Sequence, residues 1–265
     1  MSQKQINKEV KDLLNSFLEE HIYPKILDKD NFLGAVTYGS SVTGFSSKNS
    51  DIDLLVLLNH AECTTRGVKI YNGYKVEYFI KPIEKFLSET ISYSNSNCPT
   101  QVALEQNAYI LSDRFGFIEN ILKTSADYYN QHRQKPNKNY DLKFVQIENR
   151  LASLKNILER NGAEFHMVYY NVLEMLREWH SQSHDEADIP FAKAYRIYTD
   201  KAYYDKFVSN NAGNPMPDKK FVELYAKCVK QTTNKPKMLK NLQSLYDYEK
   251  SFTTLNPTDY EMELR

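Results

Sequence analysis

The 265-residue sequence reads as an α+β chain, a mixed sheet with helices followed by an all-helical part. Three observations lead there. Short apolar runs bounded by turn residues occupy the stretch from Phe32 to Pro82. An Asn72-Gly73 pair joins two alternating runs within it. After Pro82 the apolar residues recur at helical rather than strand spacing.

Val10, Leu13, Leu14, Phe17, Leu18 and Ile22 fall at roughly helical spacing, so an amphipathic helix is expected over 5–22. Phe32 to Tyr38 is short, apolar and ends at Gly39-Ser40, as a buried strand running into a turn does. Ile52 to Leu58 is a second apolar strand, opened by Asp51 and Asp53. Asn-Gly between Val68–Tyr71 and Tyr74–Ile80 is a strong hairpin signal, because both turn positions tolerate positive φ. Helices are expected around 83–92, 101–111, 114–130 and 141–160, then over 163–181, 219–231 and 236–251. The polar run Gln131 to Asn139 marks a linker between a domain at 1–130 and a helical domain at 140–265, and 208–219 reads as a loop.

The 34 basic and 34 acidic side chains cancel, which disfavours the broad phosphate-neutralising surface of a nucleic-acid binder. Cys63, Cys98 and Cys228 are scattered without metal-ligand spacing or a disulfide pattern. No apolar stretch approaches the ~18 residues a membrane span needs, so a soluble cytoplasmic protein is expected.

The chemistry concentrates between Gly39 and Asp53. Gly39 permits a tight turn and close backbone approach. Ser40 and Ser41 offer hydroxyls and N–H groups suited to phosphate oxygens. Asp51 and Asp53, one residue apart on a strand, project from one face. Their mutual repulsion is relieved by a hard divalent cation, and Mg²⁺ typically takes one or two carboxylates plus substrate phosphates. Glu77 joins this cluster if its strand pairs beside that of Asp53. It then either completes the ligands for a second metal or takes a proton from an acceptor hydroxyl. An isolated D-x-D is usually a strand-end feature. The ordered combination with Gly39-Ser40 and a glutamate-bearing hairpin sets this one apart.

These motifs resemble the nucleotidyltransferase superfamily that includes DNA polymerase β, and within it the bacterial nucleotidyltransferases that modify aminoglycosides. The likeness is strongest over 33–80. It implies transfer of a nucleoside monophosphate, AMP from ATP by default or from another NTP, onto a hydroxyl of a small acceptor, with Asp51, Asp53 and Glu77 holding Mg²⁺, expected as two ions. A weaker likeness over 163–200 implies that Lys193 reaches the triphosphate. Glu148 corresponds to a catalytic base that other members carry on a long helix. The sequence departs from the family where some members place a drug-binding acid: His166-Met167-Val168-Tyr169 stands there. Rival readings are a protein or nucleotide acceptor, and a silent nucleotide-binding scaffold. A cationic aminoglycoside needs acids in the acceptor half beyond the metal ligands, so a basic or apolar lining would count against it.

Overall fold

The computed structural model describes residues 6–44, 50–95, 107–133, 140–184, 186, 189–205 and 218–253. These fall into two compact units, one through Arg133 and one from Tyr140 onward.

The first unit is a five-stranded sheet ordered β3-β4-β2-β1-β5. Its strands are β1 (Phe32–Tyr38), β2 (Ile52–Leu58), β3 (Thr65–Tyr71), β4 (Tyr74–Pro82) and β5 (Tyr109–Asp113). β2 and β4 run parallel, and every other neighbouring pair is antiparallel. The hairpin between β3 and β4 turns at Asn72 (φ 49°) and Gly73 (φ 83°), the positive values that an Asn-Gly turn accommodates.

The apolar run of β2, interrupted only at Asp53, follows from burial on both faces. Ile52, Leu54, Val56 and Leu58 pack with Leu13, Leu14, Phe17 and Leu18 from α1 (Lys8–Phe17) and the π-helical turn that extends it to Ile22. Leu55 and Leu57 face the other way, against Phe86 of α3 (Ile83–Asn95) and Ile118, Ile121 and Leu122 of α4 (Ile118–His132). A single turn of helix, α2 (Ser40–Thr43), follows β1.

Two expectations are corrected. Over 101–111, where a helix was expected, the described part contains the start of β5, whose Tyr109 and Ile110 pair with Thr37 and Val36 on the open edge of β1. A short β-favouring run takes the conformation its neighbour offers. Helix α4 begins at Ile118 rather than 114, because the Asp113 carboxylate accepts the N–H groups of Phe117 (2.8 Å) and Ile118 (3.1 Å). The expected linker 131–139 and loop 208–219 lie outside the described residues at 134–139 and 208–217, as does Cys98.

The second unit is helical: α5 (Tyr140–Glu159), α6 (Phe165–Ser183), α7 (Phe191–Thr199), α8 (Lys201–Tyr204), α9 (Lys219–Lys230) and α10 (Lys235–Lys250). α7 and α8 were not expected. Pro190 stands at the N-cap of α7, where its missing N–H costs nothing. Phe144, Trp179 and Tyr246 form a ring cluster at the core, with centroids 4.9 and 5.2 Å apart around Phe144. Among the described residues no helix is long and apolar enough to cross a membrane.

Gly34 lies where β1 meets β5 and α4. A Cβ there would sit 2.5 Å from the Ser112 carbonyl oxygen and 2.6 Å from Ile118 Cγ1. Backbone cannot yield as a side-chain tip can, so Gly34→Ala is expected to lower stability by about 1–3 kcal/mol in urea denaturation.

Candidate active site

The parallel register of β2 and β4 sets Asp53 directly beside Glu77, and the antiparallel register of β1 sets Tyr38 on the other side of Asp53. Paired residues of adjacent strands share a face, so both carboxylates emerge on the α3–α4 side of the sheet. The buried Thr37 hydroxyl donates to the Asp53 carbonyl oxygen at 2.7 Å, which fixes the backbone at this point. Asp51 stands just before the strand. All three acids are partly exposed.

Gly39 follows β1 with φ 78° and ψ −152°, a region that essentially only glycine occupies. A Cβ at Gly39 would overlap Asp53 Oδ2. The glycine is therefore required twice, by its own backbone angles and by the carboxylate against it. Ser40 and Ser41 open α2, partly exposed, and the Ser41 hydroxyl donates back to the Tyr38 carbonyl oxygen at 3.2 Å.

Two cations meet the acids, and neither was singled out from the sequence. Lys75 Nζ donates to Asp51 Oδ2 at 2.7 Å, and Arg66 Nε donates to Glu77 Oε1 at 2.7 Å. The hydrogen bond from Lys75 holds the Asp51 carboxyl below its usual range, and the same contact pushes Lys75 up. Arg66 sits on β3 opposite Phe79, two pairs along from Val68 opposite Glu77, so it shares the face of the acids. Its guanidinium also lies 5.3 Å from the centre of the Phe79 ring. Sequence alternation places Arg66 and Lys75 on the Glu77 face once the hairpin register is known.

The oxygen donors of Asp51, Asp53 and Glu77 fit a hard divalent cation in kind. Gly39 lets the chain pass close beside the Asp53 carboxylate, where a side chain would collide with it. The remaining expected residues lie in the second unit. Glu148, on α5, is partly buried beside the Tyr246 hydroxyl, which burial and then this carboxylate push upward. Lys193 is exposed in the first turn of α7.

Residues 24–103 match the family model of the nucleotidyltransferase domain. The match includes Gly39, Ser40, Ser41, Asp51, Asp53 and Glu77, so the chain carries a nucleotidyltransferase domain and is an enzyme of that class. No curated protein matches the sequence significantly. A nucleotidyltransferase-like protein from Exiguobacterium sibiricum 255-15 is similar in structure, with TM-score 0.40 and 14% identity over 91% of this chain and 75% of that one. Likeness at that level bears on neither substrate nor site.

The second unit holds a further charged cluster. His180, on α6, is fully buried between two carboxylates, with Nδ1 3.0 Å from Glu249 and Nε2 3.4 Å from Glu186. Its ring stacks on Phe221 at 3.6 Å and on His184 at 4.3 Å. Its ligand atoms with those of His184 and Glu249 lie within 4.8 Å of one another. His180 and His184 lie four residues apart at the end of α6, which stays helical through Ser183, and Glu249 arrives from 69 residues away on α10, a separation that no local pattern reveals.

Burial alone would depress His180, but its contacts with the accepting carboxylates of Glu186 and Glu249 overcome it and push the imidazole up to about 9. A histidine whose folded pKa is raised stabilises the fold fully below its unfolded value of 6.5, and that stabilisation is lost as pH climbs through about 9. Burial also raises Glu249, which acts in the same direction. His184, Asp218 and Tyr248 are also coupled to this cluster. Unfolding free energy is expected to fall by on the order of 2–3 kcal/mol across that window, measured by denaturant titration at several pH values. The Glu186→Gln/Glu249→Gln double variant should lose most of that slope.

Proposed function

We propose that this chain transfers a nucleoside monophosphate from a Mg²⁺-bound nucleoside triphosphate to an acceptor hydroxyl, at the acid face of β2 and β4. The observation that carries the proposal is the register pairing of Asp53 with Glu77, with the side-chain-free Gly39 against the Asp53 carboxylate. Three carboxylates on one sheet end, within a nucleotidyltransferase domain, are hard to account for as surface decoration.

Asp51, Asp53 and Glu77 are the residues that would hold Mg²⁺, taken as two ions. When bound, the metal neutralises charge on the triphosphate and on the leaving pyrophosphate. Glu77 has two roles open to it, as a ligand or as the acceptor of the hydroxyl proton. The acceptor oxygen forms a bond to the α-phosphorus, and the bond from that phosphorus to the bridging oxygen of pyrophosphate breaks. Gly39 admits close approach beside Asp53, and the Ser40 and Ser41 groups supply donors for phosphate oxygens. ATP is taken as the donor from the family resemblance. Contributions from Glu148 and Lys193 remain expectations of the same resemblance, and the proposal stands without them.

The surroundings of the acids favour a neutral or anionic acceptor over a polycationic antibiotic. On the same face, β3 presents Arg66, Val68 and Ile70 in a row, with Val68 and Ile70 55% and 67% exposed. Val68 lies directly opposite Glu77 and Ile70 opposite Lys75. This strand, apolar apart from an arginine already paired with Glu77, offers an aminoglycoside no acids beyond the metal ligands.

The test is incubation of the chain with labelled ATP, GTP, CTP and UTP, Mg²⁺, and acceptor panels that include aminoglycosides, lincosamides and cell extract, with mass spectrometry of the products. Transfer with pyrophosphate release is expected, reduced about 100-fold or more in Asp51→Asn and Asp53→Asn, since losing a metal ligand costs at least what losing its outer support does. Gly39→Ala should lose activity comparably. Unchanged nucleotide consumption in the two asparagine variants would remove the proposal.

A further inference from the structure

We propose that Arg66 and Lys75 are resident counter-ions of the acid cluster, which compete with the divalent cation for Glu77 and Asp51 and turn to the nucleotide's phosphates once the metal has displaced them. This rests on the reading of the acids as metal ligands, and it adds two residues that act on the charge balance of that site.

The geometry is specific on both sides. Lys75 belongs to β4, two residues before Glu77, and reaches across to Asp51 on the neighbouring strand. Arg66 reaches Glu77 from the other neighbour, β3. The acids are thus bracketed by cations from the hairpin that also carries Glu77. Phe79 supports the Arg66 guanidinium through its ring face, which keeps the charge near the site when its carboxylate partner is taken.

The strength of the pairs suits exchange. The Arg66 side chain is 68% exposed and that of Lys75 48%, so the cation of each pair stays solvated, although Glu77 is largely covered, and each pair is individually weak. Mg²⁺ bonds directly to carboxylate oxygens and replaces such a pair without a large penalty. The charge balance then inverts. Three carboxylates against two ammonium-type charges leave the cluster net negative, which suits capture of a cation and repels a polyphosphate. One divalent ion added to the same five groups makes the cluster net positive, which attracts a polyphosphate. Metal first, nucleotide second, is the order this arrangement favours.

The experiment is Mn²⁺ titration of the full chain by electron paramagnetic resonance, without nucleotide and then with ATP. It compares the unmodified chain with Arg66→Gln, Lys75→Gln, Arg66→Lys and Asp53→Asn, folding being checked by circular dichroism. Without nucleotide, each glutamine variant is expected to bind Mn²⁺ about fivefold more tightly, the worth of an exposed ion pair. With Mn²⁺ saturating, the same variants should bind ATP about fivefold more weakly. Arg66→Lys, which keeps the charge, should resemble the unmodified chain in both. Mn²⁺ affinity that is unchanged or weaker in the glutamine variants, with binding still lost in Asp53→Asn, would overturn this inference and leave the proposed function standing. Absence of Mn²⁺ binding to the unmodified chain with or without ATP would remove the metal reading, and this inference with it.

Discussion

The parallel pairing of β2 with β4 is the constraint on which the acid site depends. Without it, Asp53 and Glu77 are two acids 24 residues apart in sequence; with it, they are cross-strand neighbours on one face. Hydrophobic burial enforces the pairing. Ile52, Leu54 and Val56 pack on the α1 side, while Leu55 and Leu57 pack on the α3–α4 side. A one-residue slip of β2 would exchange these sets and carry Asp53 to the wrong face. The core therefore specifies the site, and the site's acids need no interactions of their own to hold register.

Around that pairing the local chemistry is economical. The turn after β1 must leave room for the Asp53 carboxylate, and Gly39 provides it through a backbone conformation closed to other residues. The β3–β4 hairpin delivers Glu77 together with the two cations that balance the acids. The second unit carries its own charge cluster, in which a buried imidazole offsets two carboxylates arriving from different segments. There the charges are desolvated, so their protonation feeds into stability, whereas the solvated pairs on the sheet leave stability nearly untouched.

Much of the first unit was legible in the sequence because its signals are local. Asn72-Gly73 marks a turn by its backbone preferences, β2 declares itself by the apolar run Leu54–Leu58, and the two aspartates stand just before that run. What escaped was long-range. Tyr109–Asp113 is too short for its β-favouring residues to decide against a helix, and it becomes a strand because β1 has an open edge. The partnership of Arg66 with Glu77 depends on hairpin register, and that of His180 with Glu249 on helix packing. Residue types at a given spacing reveal that an acid is unusual, but not which cation answers it.

The account turns on the acid face of β2 and β4 being the metal and nucleotide site. A crystal structure of the chain grown with Mn²⁺ and a non-hydrolysable ATP analogue, with anomalous diffraction locating the manganese, tests this most directly. The account predicts an anomalous peak bonded to carboxylate oxygens of Asp51 and Asp53 and to the analogue's phosphates. A peak confined to His180, His184 and Glu249, or nucleotide bound with Asp51 and Asp53 untouched, would contradict it.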